Sequence, residues 1–144
     1  MLIYEQYLPS TFQDVDQVVE DILKSIKHKF QFMSDRYLFN INFMLREILN
    51  NAVEHGNHFD PNKKVFCKVS YDVPLLVFII KDEGKGINIM DIPTETHDPK
   101  TLLRERNRGH KTIVDMDFDI LVLGTEVKII LNLNQEVLQW KNNY

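Results

Sequence analysis

Two apolar-periodic runs follow one another in the first third of the chain, and only strand-length runs come after them. The first sets Val15, Val18, Val19, Ile22, Leu23 and Ile26 on one stripe. The second does the same with Leu38, Ile41, Leu45, Ile48 and Ala52, with Met44 and Leu49 beside it. Apolar residues recurring every three or four positions mark helices that bury one face. Ser10 or Thr11 offers a cap for the first helix, predicted to end near Lys29. The second is predicted from Ser34-Asp35 to about His55, with Gly56 as its stop. A strand-like start over residues 2–7 precedes both helices. After them, residues 65–72 and 75–81 read as strands joined at Val73-Pro74, and residues 119–123 and 126–133 as two more around Gly124-Thr125. Residues 88–107 read as a long polar loop with one short helix over 100–104; a further short helix is predicted over 109–115, and a helical turn over 135–140. Helices that come early and strands that pair locally predict an α+β fold. The expected form is a two-layer α/β sandwich, with helices packed on one face of a mostly antiparallel, mixed sheet.

The chain has 144 residues and reads as a single domain over 1–144. Its net charge is −4, and no basic run stands out, which argues against direct nucleic-acid binding. Cys67 is the one cysteine, so no intrachain disulfide can form; it alternates with Val65, Val69 and Tyr71 and reads as a core residue. The N-terminus lacks a basic segment followed by a long apolar run, and the apolar stretch 73–80 is far too short to span a bilayer. The expected location is the cytoplasm, with no membrane partner.

Two short motifs carry the chemistry. In Glu47-Ile48-Leu49-Asn50-Asn51-Ala52-Val53-Glu54-His55-Gly56, helical spacing puts Glu47, Asn51 and His55 on one slowly drifting stripe at the rim of the apolar face. A carboxylate beside an amide oxygen can handle a proton and a hydrated Mg²⁺. His55 reads as a structural hydrogen-bonding residue. Asp82-Glu83-Gly84-Lys85-Gly86 follows a strand. A carboxylate at a strand end, then two glycines that admit close backbone approach, suits a nucleotide. Glu83 and Lys85 read as solvated.

These motifs, in this order, resemble the GHKL (Bergerat-type) ATPase superfamily, and more closely its anti-sigma-factor serine/threonine kinases, whose domain is histidine-kinase-like. The first motif is similar to the family's N-box, which implies that Asn51 holds Mg²⁺ and that Glu47 is the general base. The second is similar to its G1 box, which implies that Asp82 accepts a hydrogen bond from the exocyclic amine of adenine. Gly84 and Gly86 would then let the chain pass the base, while Ile87 and Ile89 pack on the purine. Asn107-Arg108-Gly109-His110-Lys111-Thr112-Ile113 resembles the G2 box, with Asn107 in place of a glycine and with His110 and Lys111 in place of apolar residues. Gly109, His110 and Thr112 are the implied phosphate contacts, at a helix N-terminus. Of the alternating arginines Arg104, Arg106 and Arg108, the resemblance makes Arg104 and Arg108 the candidates to steady charge on the γ-phosphate. Gly124-Thr125-Glu126-Val127 resembles a further family turn and places Thr125 near the nucleotide.

The resemblance implies a Mg²⁺-ATP-dependent serine kinase of a partner-switching system. It would phosphorylate a STAS-type anti-sigma-factor antagonist and sequester a sigma factor. A homodimer is expected, with Ile3, Tyr4, Tyr7, Phe12, Phe30, Phe32 and Phe39 as interface candidates, most of them core. Two alternatives stand beside it. One is a nucleotide-binding regulatory module without phosphoryl transfer, motivated by Asn107, His110 and Lys111. The other is a detached ATPase domain of a histidine kinase, disfavoured because the sole histidine before the N-box helix, His28, reads as a solvated surface residue.

Overall fold

The computed structural model describes residues 1–85, 112, 113 and 115–134. The expected loop over 88–107, its short helix and the turn over 135–140 lie outside them. Strand β1 (Leu2–Pro9) leads into helix α1 (Phe12–Lys29), then α2 (Asp35–Asn51), whose last turn widens into a π-helical turn over Ala52–Gly56. Strands β2 (Lys64–Asp72), β3 (Leu75–Lys81), β4 (Asp119–Leu123) and β5 (Glu126–Asn132) follow. Thr112, Ile113 and Asp115 form a helical turn before β4, closed by the Met116 amide donating to the Thr112 and Ile113 carbonyls.

Each helix starts at a side-chain cap. Thr11 Oγ1 accepts the Asp14 amide at 3.0 Å, and Ser34 Oγ accepts the Tyr37 amide at 3.4 Å. Thr11 is thus the cap of α1, and the adjacent Ser10 is free for another task. Arg46 on α2 reaches the Asp16 carboxylate on α1 and the Asn42 amide on its own helix, clasping the two helices above their buried stripes.

The five strands lie in the order β1-β2-β3-β5-β4, and each of the four pairings is antiparallel. Both helices pack on one face, so the fold is α+β and two-layered. The core consists of the predicted helix stripes (Val15, Val18, Val19, Ile22 and Ile26; Ile41, Met44, Leu45, Ile48 and Leu49) against Val65, Cys67, Val69, Leu76, Phe78 and Ile80 of the central strands and Ile129 and Leu131 of β5. Burial pushes the Cys67 thiol up to about 12, which suits an inert packing residue. Of the aromatic residues named for an interface, Phe30 is buried, whereas Tyr7 and Phe39 are 66% and 65% exposed. Among the described residues no helix is long and apolar enough to cross a membrane.

The topology gathers five segments at one end of the sheet. Pro9 pairs with Lys64, Phe66 with Lys81, and Lys81 with Glu126, so the ends of β1 and β3, the start of β2 and the β4–β5 turn lie side by side. The C-terminal turn of α2 lands there too, with Gly56 against Asp82.

Candidate functional site

Asp82 leaves β3 at the point where its amide still donates to the Thr125 carbonyl, at 3.2 Å. Two of the residues marked in the sequence, Asp82 and Thr125, are therefore neighbours across the sheet end. The Asp82 carboxylate turns back on its own loop: Oδ1 accepts the Gly84 amide at 2.7 Å. A Cβ placed on Gly56 would lie 2.3 Å from Asp82 Oδ2, and one placed on Gly84 would lie 2.3 Å from the Gly56 carbonyl oxygen. Glycine suits both positions because the Asp82 side chain presses on Gly56 and the Gly56 backbone presses on Gly84. Burial pushes the Asp82 carboxyl above its ordinary range; the Gly84 amide, then Lys63 and His58, pull it the other way.

Glu47 and Asn51 sit half-buried on α2, at the rim of its apolar face, as the periodicity predicted. Asn51 Nδ2 is buried and has no hydrogen-bond partner among the described residues. A buried amide nitrogen left unpaired costs about 1–3 kcal/mol, so this atom calls for a partner from outside the described residues. Thr112 is exposed at the start of the helical turn before β4. Gly86, Ile87, Ile89, Arg104, Asn107, Arg108, Gly109, His110 and Lys111 lie outside the described residues.

Several features here were not read from the sequence. Helix α2 does not run as an α-helix to His55. The Asn57 amide donates to the Ala52 carbonyl at 2.8 Å, five residues back, so the turn is π-helical. His55 projects into solvent, with Nε2 3.9 Å from Glu54 Oε2, and holds nothing in the core. Gly56 is a contact surface for Asp82 as well as a stop. Glu83 is exposed yet fixed, since its Oε2 accepts the Lys64 amide at 2.6 Å. Asn57 stands in no motif of the sequence, yet it is fully buried. Its Nδ2 donates to Ser10 Oγ and to the Lys64 carbonyl, each at 3.0 Å, and its Oδ1 accepts the Glu83 amide at 2.7 Å. Ser10 in turn donates to the Lys63 carbonyl at 2.7 Å. The available signal was an asparagine directly after the glycine that ends a helix, which reads equally well as an ordinary turn residue.

A half-buried carboxylate lifted by desolvation and two obligatory glycines thus share one end of the sheet, and the helix that ends there carries Asn51, whose amide nitrogen is unpaired among the described residues. The family model described as the histidine kinase-like ATPase domain matches residues 8–115, a span that includes every one of these groups. The chain belongs to that family. Among curated proteins it is similar to the anti-sigma F factor of Geobacillus sp. (strain WCH70), at 33% identity over 91 residues, which cover 62% of this chain and 62% of that one. The match thus spans less than two thirds of that relative's length. Among solved structures it shares the fold of the Acinetobacter baumannii histidine kinase AdeS, with a TM-score of 0.50 and 14% identity, over 93% of this chain and 70% of that one. Membership of the family implies ATP as the nucleotide, and the glycine-lined carboxylate and the unpaired amide fit such a ligand.

Proposed function

We propose that the chain is a Mg²⁺-ATP-dependent serine kinase of a partner-switching system. It would phosphorylate a serine on a STAS-type anti-sigma-factor antagonist and sequester a sigma factor by direct binding, in the cytoplasm and as a homodimer. The observation that carries the nucleotide part is the Asp82 carboxylate, held by the Gly84 amide and pressed against Gly56. The likeness to an anti-sigma F factor supports the partner part.

In this reading Asp82 accepts the adenine exocyclic amine. Guanine presents a carbonyl there, and an oxygen facing a carboxylate leaves a buried acceptor unpaired. Gly56 and Gly84 let the helix end and the loop after β3 close around that carboxylate and hold it in place. Asn51 holds Mg²⁺ through its amide oxygen and leaves Nδ2 to donate to a ligand oxygen. Mg²⁺ in such a site neutralises phosphate charge. Glu47, one helical turn before Asn51, takes the proton of the attacking serine hydroxyl. The phosphoryl group passes to the serine oxygen, and ADP departs. Arg104 and Arg108 would steady the transferring group, and Gly109, His110, Thr112 and Thr125 would line its path.

Glu47→Gln keeps shape and most hydrogen bonding but removes the base. ATP affinity is expected to hold while transfer falls by about 10²–10⁴-fold. Mass spectrometry of the antagonist after incubation with Mg²⁺-ATP reads the product. Phosphoserine supports the proposal. Phosphohistidine moves the chain to the histidine-kinase class, and tight ATP binding without any transfer makes it a sequestering module.

A further inference from the structure

We propose that Asn57 is a positioning residue for nucleotide selection: it ties the loop that carries Asp82 to the end of the helix that carries Glu47 and Asn51, and so sets the separation between the base end and the phosphate end of the site. The inference rests on the adenine-nucleotide reading above.

The geometry is that of a hub. Asn57 is 0% exposed, and its one planar amide joins three separate segments. Nδ2 donates to Ser10 Oγ, between β1 and α1, and to the Lys64 carbonyl at the start of β2. Oδ1 accepts the amide of Glu83, the residue between Asp82 and Gly84. The network fixes which way the amide points. Glu83 N–H requires an oxygen, and Ser10 has already given its proton to the Lys63 carbonyl, so it requires a donor. Aspartate would set its carboxylate against two oxygen acceptors, and alanine would remove all three bonds. Glu83 is held from its other side as well, by Lys64 N–H on Oε2. The Asp82 loop is therefore anchored at the residue next to the carboxylate, through a side chain that directly follows the glycine touching that carboxylate.

The chain bears strain to keep Asn57 there. His58 and Phe59 have φ of 51° and 57°, a left-handed conformation that bulky L residues rarely adopt. Phe59 is held in it by its amide donating to the Val53 carbonyl at 3.0 Å and by its ring standing edge-on to Phe12, with centroids 5.1 Å apart. Strain of this kind persists where the surroundings over-determine it, and here it borders the site.

A buried asparagine with only a structural role lowers stability and weakens all ligands alike. A positioning role changes the choice between bases. Calorimetric titration with ATP and GTP in the presence of Mg²⁺ separates the two. Asn57→Ala is compared with Ile26→Ala, a core variant near the C-terminal end of α1, away from Ser10 and the site, with both held well below their melting temperatures. The preference for ATP over GTP is expected to fall by about ten- to a hundredfold in Asn57→Ala and to survive in Ile26→Ala. Asn57→Ala added to Asp82→Asn should then cost little more than Asp82→Asn alone, because both act through one carboxylate. If Asn57→Ala does not fold, Asn57→Ser serves in its place; it keeps a hydroxyl in the buried slot but is too short to reach Glu83 N–H. An intact preference in the folded Asn57 variant, or an equal loss in Ile26→Ala, overturns the proposal. A wild-type protein that itself shows no preference overturns the site reading, and is told apart because no variant enters that measurement.

Discussion

At the scale of single residues, Asp82 stands under two opposed demands. Burial raises its carboxyl toward the protonated form, whereas an adenine amine needs the ionised one. A carboxyl whose folded pKa is raised contributes stability below its ordinary range and loses it as pH rises through the raised value. The unliganded protein is therefore expected to lose that contribution across this acidic window, and Asp82→Asn to remove that part of the profile in thermal melts. Binding runs the other way. ATP affinity should weaken as pH falls through the same window, more in wild type than in Asp82→Asn. At neutral pH Asp82→Asn should cost about 1.5–3 kcal/mol of ATP binding by calorimetry, the scale of a charge-assisted hydrogen bond. Asn51 gives a contrasting case. Its Nδ2 is already unpaired among the described residues, so Asn51→Ala gives up little in folding. Mg²⁺-dependent nucleotide affinity is expected to collapse with the melting temperature nearly unchanged; retained affinity would make the residue a bystander. Asp82, Gly84, Glu47 and Asn51 were legible in the sequence because each stands at a local spacing that a helix or strand end makes meaningful. Asn57 was not, because its meaning lies in partners 47, 7 and 26 positions away, and no local pattern encodes them.

At the scale of elements, the helices and strands followed from periodicity and turn chemistry. The α1 cap fell on Thr11, β3 and β4 matched their predicted spans, and β1, β2 and β5 each shifted at one end by a residue or two. The end of α2 did not follow. The run Ala52-Val53-Glu54-His55 continues a helical pattern, and a π turn differs from an α turn only in which carbonyl each amide reaches. Its consequence is contact: Gly56 is delivered onto the Asp82 carboxylate. Gly56→Ala must push the carboxylate or the helix end aside, since the added carbon would stand 2.3 Å from Oδ2. The expected cost is about 1–3 kcal/mol of stability, typical of overpacking, together with loss of nucleotide binding. Chemical denaturation and titration of the same variant check both. A folded Gly56→Ala protein with wild-type affinity would show that the contact is incidental to the site.

At the scale of the whole molecule, an antiparallel five-stranded sheet with two helices on one face brings five segments to a single end. This explains how residues as far apart in sequence as Ser10 and Thr125 come to one end of the sheet. The architecture was legible early, because helices that precede locally pairing strands leave few arrangements that bury both helix stripes. The strand order β3-β5-β4 was less so, since it depends on the path between Lys81 and Asp119, where the sequence shows weak periodicity. The central claim is that this sheet end reads adenine through Asp82. Isothermal titration of the wild-type protein with ATP and with GTP, each with Mg²⁺, tests it most directly. The account predicts measurable ATP binding that is at least about tenfold tighter than GTP binding, in line with one lost buried hydrogen bond; equal affinity for the two nucleotides, or binding of neither, would contradict it.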